Sequence, residues 1–395
     1  MSVHSHKQDD ILRVAEDIKS TRAGNAKLST MSSEKGLKAH ETKTTFVIVG
    51  DKKYREDMEK EVAASPVMFG SLTCQPSDSE VYLGEVIHSQ GLEAGLLATI
   101  DSRRGKVRGA MFKAKVMIED FKLQAVAGME GAWILWERAI LPTLLSGCGG
   151  WVGAGKSVYI KLDEIQNEYL SMIYSCPPTT PKPALRSQAG MTNMKHCIWL
   201  EKVSLVARIL HTRVDKENYA REILMEQRNL GLEGLTTEVE EICKVTGLPN
   251  ACSQFVGRKE VEEAMVNHHL IEIREEMELL SKMENIKKTD TRHMQEYMKQ
   301  KSLENSRVEF LWETNMLETR NNMKGKNQKD KYQCPHCWEG SQPGGSLETS
   351  SHLLVCRAYS NLREGLQPEA VLEDRASYLR KVIIRRKLLE KQLVT

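Results

Sequence analysis

The sequence predicts a mainly α protein with a small N-terminal α/β piece. Strand-like runs are confined to the first ninety or so residues, and patterns of helical period fill almost everything after Gly91. Aromatic residues make up only 6% of the chain, which argues against an all-β sandwich. At 395 residues the chain is long enough for two or three domains with cores of their own, and 40% hydrophobic with 28% charged residues describes a globular, helix-leaning composition. The formal net charge of +2 is nearly neutral, so any affinity for nucleic acid has to come from local patches.

In chain order, residues 9–35 read as a helix carrying Ile11, Leu12, Ala15, Ile18 and Leu28 among polar residues. Thr44–Gly50 is β-branched and apolar and closes on glycine, which predicts a buried strand. Lys53–Ala64 is a short charged helix ahead of Pro66, and Val67–Phe69, Leu72–Cys74 and Val81–Ile87 are short strands. Ile100–Glu119 has Val107, Ala110, Met111, Ala114 and Ile118 at helical spacing. Leu123–Leu145 is the most apolar run, but Glu130, Glu137 and Arg138 within it make it a buried helix rather than a membrane span. Helices follow at about 158–174, 195–211 and 215–228, with Pro177–Pro183 dividing the bundle. Glu260–Lys299 reads as a solvated helix or coiled-coil arm, a route to a homo-oligomer, with His268, His269 and His293 exposed on it. A basic linker, Asn321–Lys331, leads to the C-terminal part, where 371–393 forms a basic amphipathic helix.

Four features carry chemistry. Cys334 and Cys337 lie two residues apart, and His352 and Cys356 are one helical turn apart, which can place one imidazole and three thiolates around a tetrahedral ion, usually zinc. Trp338 beside them can stack on a base or cover the metal. Arg103, Arg104, Lys106, Arg108, Lys113 and Lys115 give one helix a sign bias suited to phosphates. Gly150-Trp-Val-Gly-Ala-Gly155-Lys156-Ser157 satisfies the P-loop pattern, but it lacks the preceding buried strand and a later strand ending in Asp, so a helix-to-helix turn is expected. The remaining six of the nine cysteines show no pairing pattern, and with the polar start they point to a reducing intracellular compartment, nuclear or cytoplasmic.

The order of these signals resembles the C-terminal half of the reverse transcriptases of non-LTR (LINE-type) retrotransposons. Gln8-Asp9-Asp10-Ile11-Leu12 is similar to the paired-aspartate motif of the palm. Lys35-Gly36-Leu37-Lys38, Lys43–Gly50 and Tyr82-Leu83-Gly84-Glu85-Val86-Ile87 resemble the stretches that follow it. Ile100–Lys115 resembles the thumb helix, and Ile140–Leu145 through Trp151 to Gln166 the segment after it, while a Cys-Cys-His-Cys knuckle closes the series. The resemblance implies a palm remnant over 1–90, a thumb-like domain over 91–230, a charged helical connector over 231–330, a zinc knuckle over 331–360 and a basic helix over 361–395. It implies RNA or DNA as partner, no membrane, Zn²⁺ at Cys334, Cys337, His352 and Cys356, and Mg²⁺ only where the palm is complete. Two-metal polymerase chemistry needs carboxylates from separate strands. Only eight residues precede Asp9, so the expectation is a remnant catalytic pair, Asp9 and Asp10, that does not polymerise alone. The competing readings are a P-loop-type ATPase at 150–157 and a non-catalytic helical interaction scaffold with a structural zinc.

Overall fold

The structure, a computed structural model, describes residues 12, 14–36, 39, 44–119, 129–211, 218–280, 286, 292–299, 303–317, 350–362 and 372–392. Among these the chain is mainly α, and its strands all lie before Gly91. It forms two compact units: Met1–Gly105 with Trp151–Leu162, and Lys106–Gly150 with Asp163–Thr395. No helix of the described residues is long and apolar enough to cross a membrane.

In the first unit, α1 (Ile18–Glu34) begins where Asp17 accepts a bond from the Ser20 amide at 2.6 Å. This side chain satisfies an amide that the helix cannot, so the helix starts there rather than at residue 9. Asp51 caps α2 (Lys52–Ala64) in the same way, from the Tyr54 amide at 2.8 Å. Ile18, Val67 and Cys74 form a small core, with Phe46, Met58, Val62 and Phe69 packed against it.

The strands are shorter than expected. β1 is Thr45–Phe46 alone, pairing in parallel with β4 (Gln75–Pro76). The last ladder bond is the Ser77 amide to the Phe46 carbonyl at 2.9 Å; Val47–Val49 fall outside the ladder despite their β-branched side chains, and Val49 is 48% exposed. β2 (Met68–Phe69) and β3 (Leu72–Thr73) form a minimal antiparallel pair. The run expected as one strand over Val81–Ile87 is a hairpin: β5 (Ser79–Tyr82) pairs with β6 (Glu85–His88) around Leu83 and Gly84, whose φ values are +49° and +84°. Two consecutive positive φ values make the tight turn that the twist of paired strands favours.

The hairpin lies on α3 (Leu92–Glu119), a helix eight residues longer at its start than the apolar spacing indicates. The Val86 amide donates to the Thr99 hydroxyl at 2.7 Å, and a Cβ at Gly95 would stand 2.5 Å from the Val86 carbonyl oxygen. The glycine is therefore what lets strand and helix approach.

The second unit is helical. The expected Leu123–Leu145 helix is described from residue 129 and runs to 144, with a π-helical turn at Trp136–Ile140 and a last α turn at Leu141–Leu144. Trp136 packs on Tyr169 of α4 (Lys156–Tyr174), ring centroids 5.2 Å apart, and the Tyr169 hydroxyl donates to the Ala132 carbonyl at 2.6 Å. The Pro-rich stretch does not stay irregular. Pro181 is the N-cap and Pro183 sits in the first turn of α5 (Lys182–Ala189), where a missing N–H costs nothing. Around the central α6 (Met194–His211) pack α7 (Tyr219–Asn229), α8 (Leu235–Thr246) and α9 (Arg258–Glu278).

The largest departure is the charged arm expected over Glu260–Lys299. α9 ends at Glu278; among the described residues after it Ile286 is helical, 292–295 are not, and a 3-10 turn follows at Glu296–Lys299. Nor is α9 a solvated rod: Val261, Met265, His269, Leu270, Ile273 and Met277 are buried within the unit. Its apolar residues do not keep heptad spacing, and they meet several neighbours, α5, α6 and α8, rather than one partner helix.

Farther on, α10 (Leu303–Glu313), α11 (Ser350–Val355) and α12 (Leu372–Gln392) enclose Leu317, Leu353, Cys356, Tyr359, Tyr378, Leu379 and Val382. Phe310 of α10 stacks on Tyr174 with centroids 4.0 Å apart and 4° between ring planes.

Candidate functional site

Among the described residues, two histidines and a glutamate with metal-ligating atoms converge where α6 crosses α9, inside the helical unit. The expected exposure of His268 and His269 does not hold. His269 is buried and His268 half-buried, because the face of α9 that carries them is the face α6 covers.

The site is built from the start of α6. Asn193, just ahead of the helix, accepts from the His196 amide at 3.1 Å, which identifies its acceptor as the carbonyl oxygen. The same oxygen lies 2.5 Å from His196 Nδ1, so Nδ1 carries the proton and Nε2 keeps its lone pair. That Nε2 points at His268 Nδ1, 2.8 Å away, and lies 3.9 Å from a Glu272 carboxylate oxygen. His268 and Glu272 are one turn apart on α9, with Nδ1 and Oε1 separated by 3.6 Å. The three donor atoms all lie within 4.8 Å of one another.

The surroundings fix the ionisation. Burial, reinforced by the Lys195 ammonium and the neighbouring histidines, pushes His196 down to about 2. Burial and then Arg186 push His269 down to about 4, against the opposing pull of Glu272. Both imidazoles are neutral at physiological pH. Lys195 bonds Glu272 at 2.5 Å and lies 4.7 Å over the Trp199 ring. Trp199 itself sits 5.3 Å from the His196 ring and 5.7 Å from that of His268. Behind the cluster Arg186, 7% exposed at its side chain, bridges Asp163 at 3.6 Å and Glu276 at 3.2 Å.

The sequence-predicted residues are distributed otherwise. Arg103 is buried and turned inward: it bonds Glu85 at 2.7 Å and the Gly84 carbonyl at 3.1 Å, and its guanidinium lies 5.5 Å over the Trp151 ring. Trp151 donates to the other Glu85 oxygen at 3.1 Å, so one carboxylate holds both. Arg104 is half-buried. Lys106, Arg108 and Lys113 face solvent, Arg108 beside Glu168 at 3.2 Å, while Lys115 pairs with Glu119 at 4.0 Å. On α12 the expected basic face is partly engaged within the chain, since Arg375 meets Glu309 and Glu313 and Arg380 meets Glu304.

Asp9, Asp10, Cys334, Cys337 and Trp338 lie outside the described residues. Of the knuckle, His352 and Cys356 are described, and their one-turn spacing is real: the Cys356 amide donates to the His352 carbonyl at 2.8 Å. His352 is half-buried, and Cys356 is buried in the apolar cluster with Leu353, Tyr359 and Tyr378.

The P-loop pattern is not a phosphate cradle. A helical turn and a 3-10 turn, Cys148–Gly150, precede it instead of a strand. Ser157, at the start of α4, donates to the Glu93 carboxylate, and a Cβ at Gly155 would stand 3.1 Å from the same group. A carboxylate at that helix terminus occupies the place an anion would need.

No family model, no curated protein and no solved structure matches the chain.

Proposed function

We propose that the chain binds RNA or DNA, in the manner of the non-LTR reverse transcriptases its sequence resembles, with a zinc knuckle as a second point of grip in an intracellular, nuclear or cytoplasmic setting. The observation that carries this reading is the ordered series of motifs from Gln8-Asp9-Asp10 through Tyr82-Leu83-Gly84 to Cys334–Cys356. It is supported by the solvent-facing Lys106, Arg108 and Lys113 on α3, placed where the resemblance puts a template-tracking helix. Phosphate contacts of this kind give affinity without sequence preference. At the knuckle, Cys334, Cys337, His352 and Cys356 would hold the ion, and the ion would supply structure rather than a reaction step.

Fluorescence anisotropy of a labelled oligonucleotide at low ionic strength tests the reading. Saturable binding is expected, weakened by K106E/K113E with an unchanged melting temperature. No binding by the folded protein retires it. Metal analysis separately expects zinc, lost with Cys334→Ser.

A second reading, a helical scaffold with a structural zinc, draws on the internal pairing of Arg103, Arg375 and Arg380. It expects K106E/K113E to leave nucleic-acid association unchanged.

A further inference from the structure

We propose that His196, His268 and Glu272 form a divalent-metal site in the helical unit, separate from the C-terminal knuckle. The site takes a zinc-like ion through two imidazole nitrogens and one carboxylate oxygen.

Three observations carry it. First, the donors converge. His196 Nε2 and His268 Nδ1 are 2.8 Å apart, while Glu272 Oε1 lies 3.6 Å from His268 and Oε2 3.9 Å from His196. One donor atom from each residue falls within 4.8 Å of the other two, so side-chain shifts can bring them around one ion at ordinary zinc–ligand lengths of about 2.0–2.2 Å. Second, the outer groups are already in place. The Asn193 carbonyl oxygen holds the His196 Nδ1 proton, which directs the Nε2 lone pair into the cluster. Metal-ligating histidines are usually oriented by such a partner. Third, the cluster has a closed and an open side. The His196 side chain is 0% exposed, whereas those of His268 and Glu272 are 19% and 29% exposed. An ion can therefore enter from solvent past α9 and keep water in its fourth position. Two nitrogens with one oxygen select a borderline ion such as zinc over magnesium or calcium, which take oxygen-rich sites.

Lys195 is the opposing element. Its ammonium bonds Glu272 and adds a positive charge beside the place an incoming dication would occupy. It competes directly for Oε1, the oxygen that faces His268, and leaves Oε2, the oxygen that faces His196, open to an ion. The site is thus one of moderate affinity, set by a competing cation.

The test is a Co²⁺ titration of the metal-free full chain, following absorption, tryptophan fluorescence and stoichiometry. Cobalt in a thiolate knuckle gives a sulfur-to-metal charge-transfer band; cobalt at His196–His268–Glu272 gives none, and it quenches the adjacent Trp199. The expected result is a thiolate-free class of one ion per chain. Its binding weakens at least about tenfold in His268→Gln and in Glu272→Gln, and tightens in Lys195→Met, which keeps all three donors. Zn²⁺ should compete for it. The proposal is overturned if the thiolate-free class is missing from wild type, if it survives both ligand substitutions in folded protein, or if Lys195→Met weakens it. Absence of the charge-transfer band would count against the knuckle alone.

Discussion

Glu309 is fully buried on α10, and its charge is tolerable because the Arg375 guanidinium lies against it. Glu313 meets the same arginine at 2.9 Å, and Arg375 lies 5.9 Å from the Trp312 ring centroid. Burial pushes the Glu313 carboxyl up and the Arg375 guanidinium down, so desolvation dominates the whole group. Removing the cation leaves a buried carboxylate without compensation. Arg375→Met should therefore destabilise the packing of α10 on α12 by roughly 3–5 kcal/mol, read as a lowered urea midpoint with Trp312 fluorescence as the local probe. A value within about 0.5 kcal/mol of wild type would mean that the carboxylate is rescued by its own protonation. Nothing in the sequence announces this pair, whose members stand 66 positions apart. The same holds for His268 and His269, which read as exposed because they sit in the long charged stretch Glu260–Lys299 with no partner ligand nearby in sequence. Their burial depends on which face of α9 meets α6, and the irregular spacing of α9 does not encode that face clearly.

At the scale of the element, local chemistry was legible in part. Asp51 starts α2 within a residue of the expected position, whereas Asp17 starts α1 nine residues after the expected start and Pro183 begins a helix where a divider was expected. Strands were less legible, because a β-branched run needs a partner of equal length. Within Thr44–Gly50 only Thr45 and Phe46 pair as strand, with Gln75 and Pro76, and Val47–Val49 lie beyond that register. The β5–β6 hairpin was hidden by Leu83, an apolar residue 76% exposed at φ +49°, where Asn or Asp would have marked the turn. An L-residue with a branched apolar side chain is strained there, while asparagine tolerates the left-handed region. Leu83→Asn should accordingly stabilise the protein by up to about 1 kcal/mol, since it buries no less surface and relieves backbone strain. A thermal melt showing a rise of a few degrees would bear this out, and a fall would show that Leu83 packs in solution. Arg103 teaches the converse lesson. In a run of six bases its inward turn is set by Glu85 and Trp151, one 18 residues before it and one well after.

For the whole molecule, near-neutral charge limits how nucleic acid can be held. With a net charge of +2 there is no large net positive charge to gather an oligonucleotide, so the proposed binding would rest on local cations that face solvent. On α3 these are Lys106, Arg108 and Lys113, with Arg108 shared with Glu168. Each phosphate neutralised on a single strand contributes about −0.7 to the slope of log K against log salt. Three contacts predict a slope near about −2, a shallow dependence for a nucleic-acid binder. K106E/K113E should remove most of it, and neither exposed substitution should move stability by more than about 0.5 kcal/mol. Binding measured across a series of salt concentrations decides the matter. A much steeper slope that K106E/K113E leaves intact would place the principal contacts elsewhere, with the basic run Lys324–Lys331 ahead of the knuckle as the next stretch to neutralise. A flat slope would exclude phosphate contacts as the source of affinity and leave base stacking, for which Trp338 is the residue to replace.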